Sequence, residues 1–127
     1  MIEAYFRSLD ALLADSAIVR EYNVHFDKRS LTQGYLRGDV ILRDESLLHF
    51  REFVSLGVEV DRMVYSYHYQ RADNSLVFRY DNTPHYPDLP NAPHHRHDDA
   101  GEVSGILAKL PDLDAVLQEI ELLMEPE

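Results

Sequence analysis

Apolar residues recur at three- and four-residue spacing over the first fourteen positions. Ile2, Tyr5, Phe6, Leu9, Leu12 and Leu13 form one stripe, and Glu3, Arg7 and Asp10 fall elsewhere on the wheel. This periodicity predicts an amphipathic helix over residues 2–14. From residue 18 the period changes to two. Ile18, Tyr22, Val24 and Phe26 alternate with polar positions, and only Arg20 breaks the apolar set. A half-buried strand over 18–27 follows. A second strand is predicted over 35–43, with Leu36, Val40 and Leu42 inward and Gly38 marking a bulge or a close approach. A third covers 47–54, with Leu48, Phe50 and Val54 on one side.

Residues 60–70 carry the clearest alternation. Met63, Tyr65, Tyr67 and Tyr69 interleave with Arg62, Val64, Ser66, His68 and Gln70. Residues 72–75 (Ala-Asp-Asn-Ser) are turn material, and 76–81 returns as a fifth strand, so the pair reads as a hairpin. A 72–75 loop sets the register: Arg71 opposite Leu76, Tyr69 opposite Phe78, His68 opposite Arg79, Tyr67 opposite Tyr80, Ser66 opposite Asp81. Opposed residues share a face. One face collects Met63, Tyr65, Tyr67, Tyr69, Phe78 and Tyr80 as an aromatic core layer. The other collects Ser66, His68, Arg79 and Asp81.

Residues 82–97 are read as an irregular loop, because prolines at 84, 87, 90 and 93 each deny a backbone donor. Residues 98–106 read as linker. A last helix starts after Pro111 with Asp112 as N-cap and an apolar stripe of Leu113, Val116, Leu117, Ile120, Leu123 and Met124, stopped by Pro126. The expectation is one α+β domain over 1–127: a mostly antiparallel five-stranded sheet packed with N-terminal and C-terminal helices.

Composition narrows the function classes. The chain has 127 residues and no cysteine, which removes disulfides, thiolate zinc sites and a cysteine nucleophile. No apolar run approaches the ~20 residues of a spanning helix. The first residues lack the basic-then-apolar order of a secretory signal. A soluble, cytoplasmic protein with no membrane association is expected.

The net charge of −11 is unevenly spread. Residues 98–127 hold nine acids and one base, Lys109, whereas all seven histidines lie in the nearly balanced body before them. A cationic surface can therefore exist on an acidic chain. The acids themselves read as the solvated face of a helix, or as a segment that covers a basic site or pairs with a basic partner.

His85, His94, His95 and His97 fall within thirteen residues, flanked by Arg79, Asp81 and Arg96. Histidine moves protons near neutral pH, and an arginine fork matches a phosphate. On spacing alone the run has three readings: an acid–base site, a metal site with Asp81 or His85 as third ligand, and a solvated loop. P-loop, GxGxxG, GxSxG and HExxH signatures are all absent.

Three segments together are more specific. Tyr67-His68-Tyr69-Gln70, Phe78-Arg79-Tyr80-Asp81-Asn82-Thr83-Pro84-His85 and Pro93-His94-His95-Arg96-His97 resemble the core motifs of the TumE family of toxin–antitoxin proteins. The family pattern reads approximately YHYQ…FRYDNxPHxP…PHHxH. Thr83 departs from it where a small residue such as alanine is expected, and residues 98–114 match loosely. The resemblance implies the toxin of a bacterial or archaeal pair, with a small DNA-binding antitoxin as partner. It does not supply a mechanism.

From the residues themselves, the expected chemistry is ribonuclease action without metal or other cofactor. RNA brings its own nucleophile, the 2′-OH, so the protein needs a base, an acid and a cation for the phosphate. His95 and His97 are the expected acid–base pair, with His85 as substitute and Asp81 orienting a histidine. Arg79, Arg96 and His68 are the expected substrate contacts. The alternative is a binding module whose histidine loop holds a protein or a divalent metal. A homodimer through the 18–27 strand is left open.

Overall fold

The computed structural model describes residues 1–124. The element order is α1 (Ile2–Asp15), β1 (Val19–Lys28), β2 (Gln33–Leu42), β3 (Leu47–Leu56), β4 (Val60–Gln70), β5 (Leu76–Asp81), β6 (His95–Asp98), β7 (Val103–Gly105) and α2 (Leu113–Leu123). The strands form one antiparallel sheet in chain order, a seven-stranded meander. Both helices were expected and both form. Asp112 caps α2 by accepting from the Ala115 amide at 2.9 Å. The predicted stop at Pro126 lies outside the described residues.

Both helices contribute to one core. Ile2, Phe6, Leu9 and Leu13 of α1 and Leu113, Val116, Leu117 and Ile120 of α2 join Leu36, Val40, Leu48, Phe50, Tyr67 and Phe78 in a single buried cluster. This burial is the main favourable term for the fold. Leu123, expected in the stripe, is instead exposed. Gly38 marks a close approach, as predicted: a Cβ there would sit 2.5 Å from the Phe50 ring.

The core also encloses an ionisable side chain. Glu52 on β3 is fully buried and accepts from the hydroxyls of Tyr67, at 2.5 Å, and Tyr5. Burial pushes its carboxyl above the usual range, against the two hydroxyls and Arg62, which hold it down.

The hairpin register is as expected at its four inner pairs, from Ser66↔Asp81 to Tyr69↔Phe78. Two details differ. A bulge at Tyr69/Gln70 sets Gln70, not Arg71, opposite Leu76. A second bulge at Phe53/Val54 pairs Val54 with Arg62, so Met63 leaves the aromatic layer and is exposed.

The larger correction is strand count, seven rather than five. β6 starts in the segment read as loop and ends on the first residue of the segment read as linker, and β7 lies within that linker. Neither carries an apolar alternation, since β6 is His-Arg-His-Asp and β7 has three residues. β6 is held by pairing on both sides, with β5 and with β7. The irregular segment therefore shortens to residues 82–94.

Candidate active site on the open face of the sheet

With the helices on one face, the opposite face is left uncovered over β1–β4. The register aligns its polar residues in transverse rows. Ser66 on β4 pairs with Asp81 on β5, which pairs with His95 on β6. In the adjacent row His68 pairs with Arg79, which pairs with His97. Residues 29 positions apart in the chain thus share a row because β6 joins the sheet.

Asp81 is the hub. Its side chain is 4% exposed. One oxygen accepts from the amide of Thr83 at 3.0 Å and its hydroxyl at 2.8 Å. The other accepts from Nε of Arg79 at 2.8 Å. Burial alone would raise this carboxyl. The Arg79 and Thr83 hydrogen bonds, with the nearby His95, outweigh it and hold the pKa below the usual carboxylate range.

His95 is equally enclosed, at 1% exposure. Nδ1 lies 2.8 Å from the carbonyl oxygen of Pro93. A carbonyl only accepts, so Nδ1 carries the proton of this bond. Nε2 then faces Oδ1 of Asp81 at 2.9 Å, out of line for a hydrogen bond, and is the buried polar side-chain atom left unpaired among the described residues.

His97 and Arg79 are the reachable members, 24% and 30% exposed. His97 Nε2 is 3.9 Å from Oδ2 of Asp81. Burial, then the nearby His95, lowers its pKa, with Arg79 adding to this and Asp81 opposing it. The His97 pKa is thus held below the ordinary 6.5, which favours the neutral form that can take a proton. Arg79 is gripped from two sides, by Asp81 through Nε and by His68 Nδ1 at 3.3 Å from Nη1. His68 in turn donates from Nε2 to Gln70 at 3.1 Å, so its Nδ1 is the acceptor. Burial, then Arg79, lowers the His68 pKa. Two of Arg79's five donors are used; the others remain for an anion.

Tyr86 roofs the cluster, its ring 4.8 Å from that of His95 and 5.7 Å from that of His97. The loop that carries Tyr86 packs closely on β7: a Cβ on Gly105 would fall 2.2 Å from the carbonyl oxygen of Pro90.

Of the residues singled out in the sequence, Asp81, Arg79, His68, His95 and His97 come together. Arg96 does not. As the odd residue between His95 and His97, it points to the helix face, pairs with Glu119 of α2 at 2.9 Å and lies over the Phe78 and Tyr80 rings. Its guanidinium is thus engaged on the face away from the cluster, where it does not join the substrate contacts expected of Arg79 and His68. His85 is exposed on the loop and makes no hydrogen bond or ring contact with the cluster among the described residues. His94 stacks on Tyr65 and bonds its hydroxyl at 2.9 Å. Sequence reasoning missed Tyr86, Thr83 and the Pro93 carbonyl. Only Thr83 left a signal, as the departure inside the motif.

Asp81, His95 and His97 also offer ligand atoms within 4.8 Å of one another, the donor set a divalent ion would use. Arg79 and Thr83 compete for the same carboxylate oxygens.

Comparison with known proteins yields one family: the model described as Toxin TumE matches residues 9–124. No curated protein and no solved structure matches the chain significantly.

Proposed function

The chain belongs to the TumE toxin family, and on that premise we propose that it is a toxin acting as a metal-independent ribonuclease on the open face of its sheet. The observation that carries the reading is a reachable His97 paired across the sheet with a reachable Arg79, which the buried Asp81 holds by a 2.8 Å hydrogen bond. His97 takes the proton of the RNA 2′-OH as that oxygen attacks the adjacent phosphorus. Arg79 stabilises the charge that builds on the phosphoryl oxygens. The P–O5′ bond breaks, leaving a 2′,3′-cyclic phosphate and a 5′-hydroxyl. His85, one residue from the Tyr86 roof, is the candidate that protonates the departing 5′ oxygen. His95, too enclosed to touch substrate, is a positioning residue for Asp81 and His97.

General acid–base catalysis contributes ~10²–10⁴-fold. His97→Ala should lower RNA cleavage by about that factor. Unchanged cleavage would remove His97 from the mechanism. His95→Ala should lower kcat and also move the acid limb of the pH profile upward, because His95 helps depress the His97 pKa.

The family also implies a cognate antitoxin, for which a small DNA-binding protein is our proposal, and cytoplasmic action follows from an RNA target. Among the described residues no helix is long and apolar enough to cross a membrane.

The three-ligand geometry favours a second reading, a divalent-metal binding module. Metal analysis of untagged protein separates the two. Stoichiometric zinc or nickel would favour the module, and full cleavage in a chelator would favour the nuclease.

A further inference from the structure

The open face continues past the cluster, and its rows continue with it. Ser66 pairs with Arg51 on β3, Arg51 with Arg37 on β2, and Arg37 with His25 on β1. The two arginines are direct cross-strand partners on interior strands of the sheet. Like charges so placed repel. Neither guanidinium makes a hydrogen bond or ion pair with another described residue, although Asp39 in the neighbouring row is at hand. Asp39 is taken by His49, at 2.6 Å. Arg37, Arg51 and Arg79 line one groove of about 780 Å³ running from β1 to β5, and it ends at Arg79 of the reaction cluster. On a chain of net charge −11, this is a segregated cationic track.

Two rings stand on the other side of the arginines. Tyr35 and Phe53 are cross-strand partners, two positions along β2 and β3 from Arg37 and Arg51, on the same face and half-buried. Cations for a backbone beside ring faces for bases are what single-stranded nucleic acid requires. At about 4.8 Å per strand, Arg51 lies roughly 10 Å from β5 and Arg37 roughly 14 Å. One bound phosphate cannot span that, whereas a polynucleotide can.

We propose that Arg37 and Arg51 form a phosphate-binding track, with Tyr35 and Phe53 as its stacking platform, that lays single-stranded RNA across the sheet and leads it to Arg79 and His97. This rests on the ribonuclease reading for where the strand leads, but its binding claim is tested separately.

The probe is a fluorescent 2′-O-methyl oligoribonucleotide of about ten nucleotides, within the usual single-strand footprint. It cannot be cut through a 2′-OH. Binding to the full-length protein is followed by anisotropy across a salt series. Each lost phosphate contact removes about 0.7 from the log–log salt slope for single strands. R37Q/R51Q should therefore lower the slope by about 1.4. R37K/R51K should keep the slope. Y35A/F53A should weaken binding about tenfold or more with the slope unchanged. The Gln variant relieves a like-charge pair, so a fold equal to wild type is expected by circular dichroism.

No binding by wild type, or an unaltered slope in R37Q/R51Q, overturns the track. So does an R37Q/R51Q loss confined to antitoxin capture. Cleavage of unmodified RNA is scored apart. Binding without cleavage supports the track and removes the nuclease; cleavage with an unaltered R37Q/R51Q slope does the reverse.

Discussion

Asp81 is the residue on which the site turns, and its role was half legible. The hairpin register put it on one face with His68 and Arg79, and the structure agrees. Its link to His95 and His97 was not legible, because β6 has no apolar alternation to announce a strand. The same blindness misplaced Arg96. In a loop it can point anywhere; in a strand between two open-face histidines it must point to the helices. The titrating groups carry a pH prediction. His68 and His97 both have folded pKa values below the ordinary 6.5. Below pH 6.5 the unfolded chain takes up protons first, so their contribution to stability is present above 6.5 and is lost as pH falls toward the folded values. Glu52, raised by burial, acts in the opposite sense. It cancels in a comparison of wild type with a His68→Gln/His97→Gln variant. Wild type should lose melting temperature relative to that variant between pH 7 and pH 5, and a constant difference would contradict the assignment. Cleavage should rise with pH through a midpoint below 6.5, as His97 becomes a base.

At the scale of elements, the helices and β1–β5 were readable because each buries one face against water, and burial leaves a period in the sequence. β6 and β7 are held by ladder hydrogen bonds and by the loop folded over them, and those leave no period. Gly105 records that packing. Gly105→Ala would drive a Cβ into the Pro90 carbonyl. It should loosen residues 82–94, detach the Tyr86 roof and lower cleavage, with faster amide exchange confined to the loop and β6–β7. Asp112→Ala is the matching control on the far side of the core. Losing the cap should cost about 1 kcal/mol of stability and leave cleavage of folded protein unchanged. A comparable loss of activity from both variants would mean that the site responds to global stability rather than to the loop.

For the whole molecule, the uneven charge has a spatial counterpart. Several acids of the C-terminal segment have local partners. Asp112 caps α2, Glu119 holds Arg96 and Tyr80, Asp99 meets Arg71, and Asp98 accepts from the amides of Ala100 and Glu102. The acids are thus only in part the solvated helix face expected: Asp98 and Asp99 lie at the β6–β7 turn, and Glu119 bonds across to β5 and β6. The uncovered face of the sheet meanwhile carries Arg37 and Arg51, which have no carboxylate partner among the described residues, in the groove that ends at Arg79 beside Asp81 and His97. Under the proposed function a single surface would combine substrate affinity and chemistry, and a cognate antitoxin that covers it would silence both. Growth arrest on expression should accordingly be relieved by the antitoxin and be absent in His97→Ala.

The most direct measurement is incubation of purified, untagged protein with single-stranded RNA in excess chelator, with product ends identified. The account predicts fragments bearing 2′,3′-cyclic phosphate and 5′-hydroxyl ends, undiminished by the chelator and lost by ~10²–10⁴-fold in His97→Ala. Intact RNA from a folded wild-type protein, or cleavage that the chelator abolishes, would contradict it.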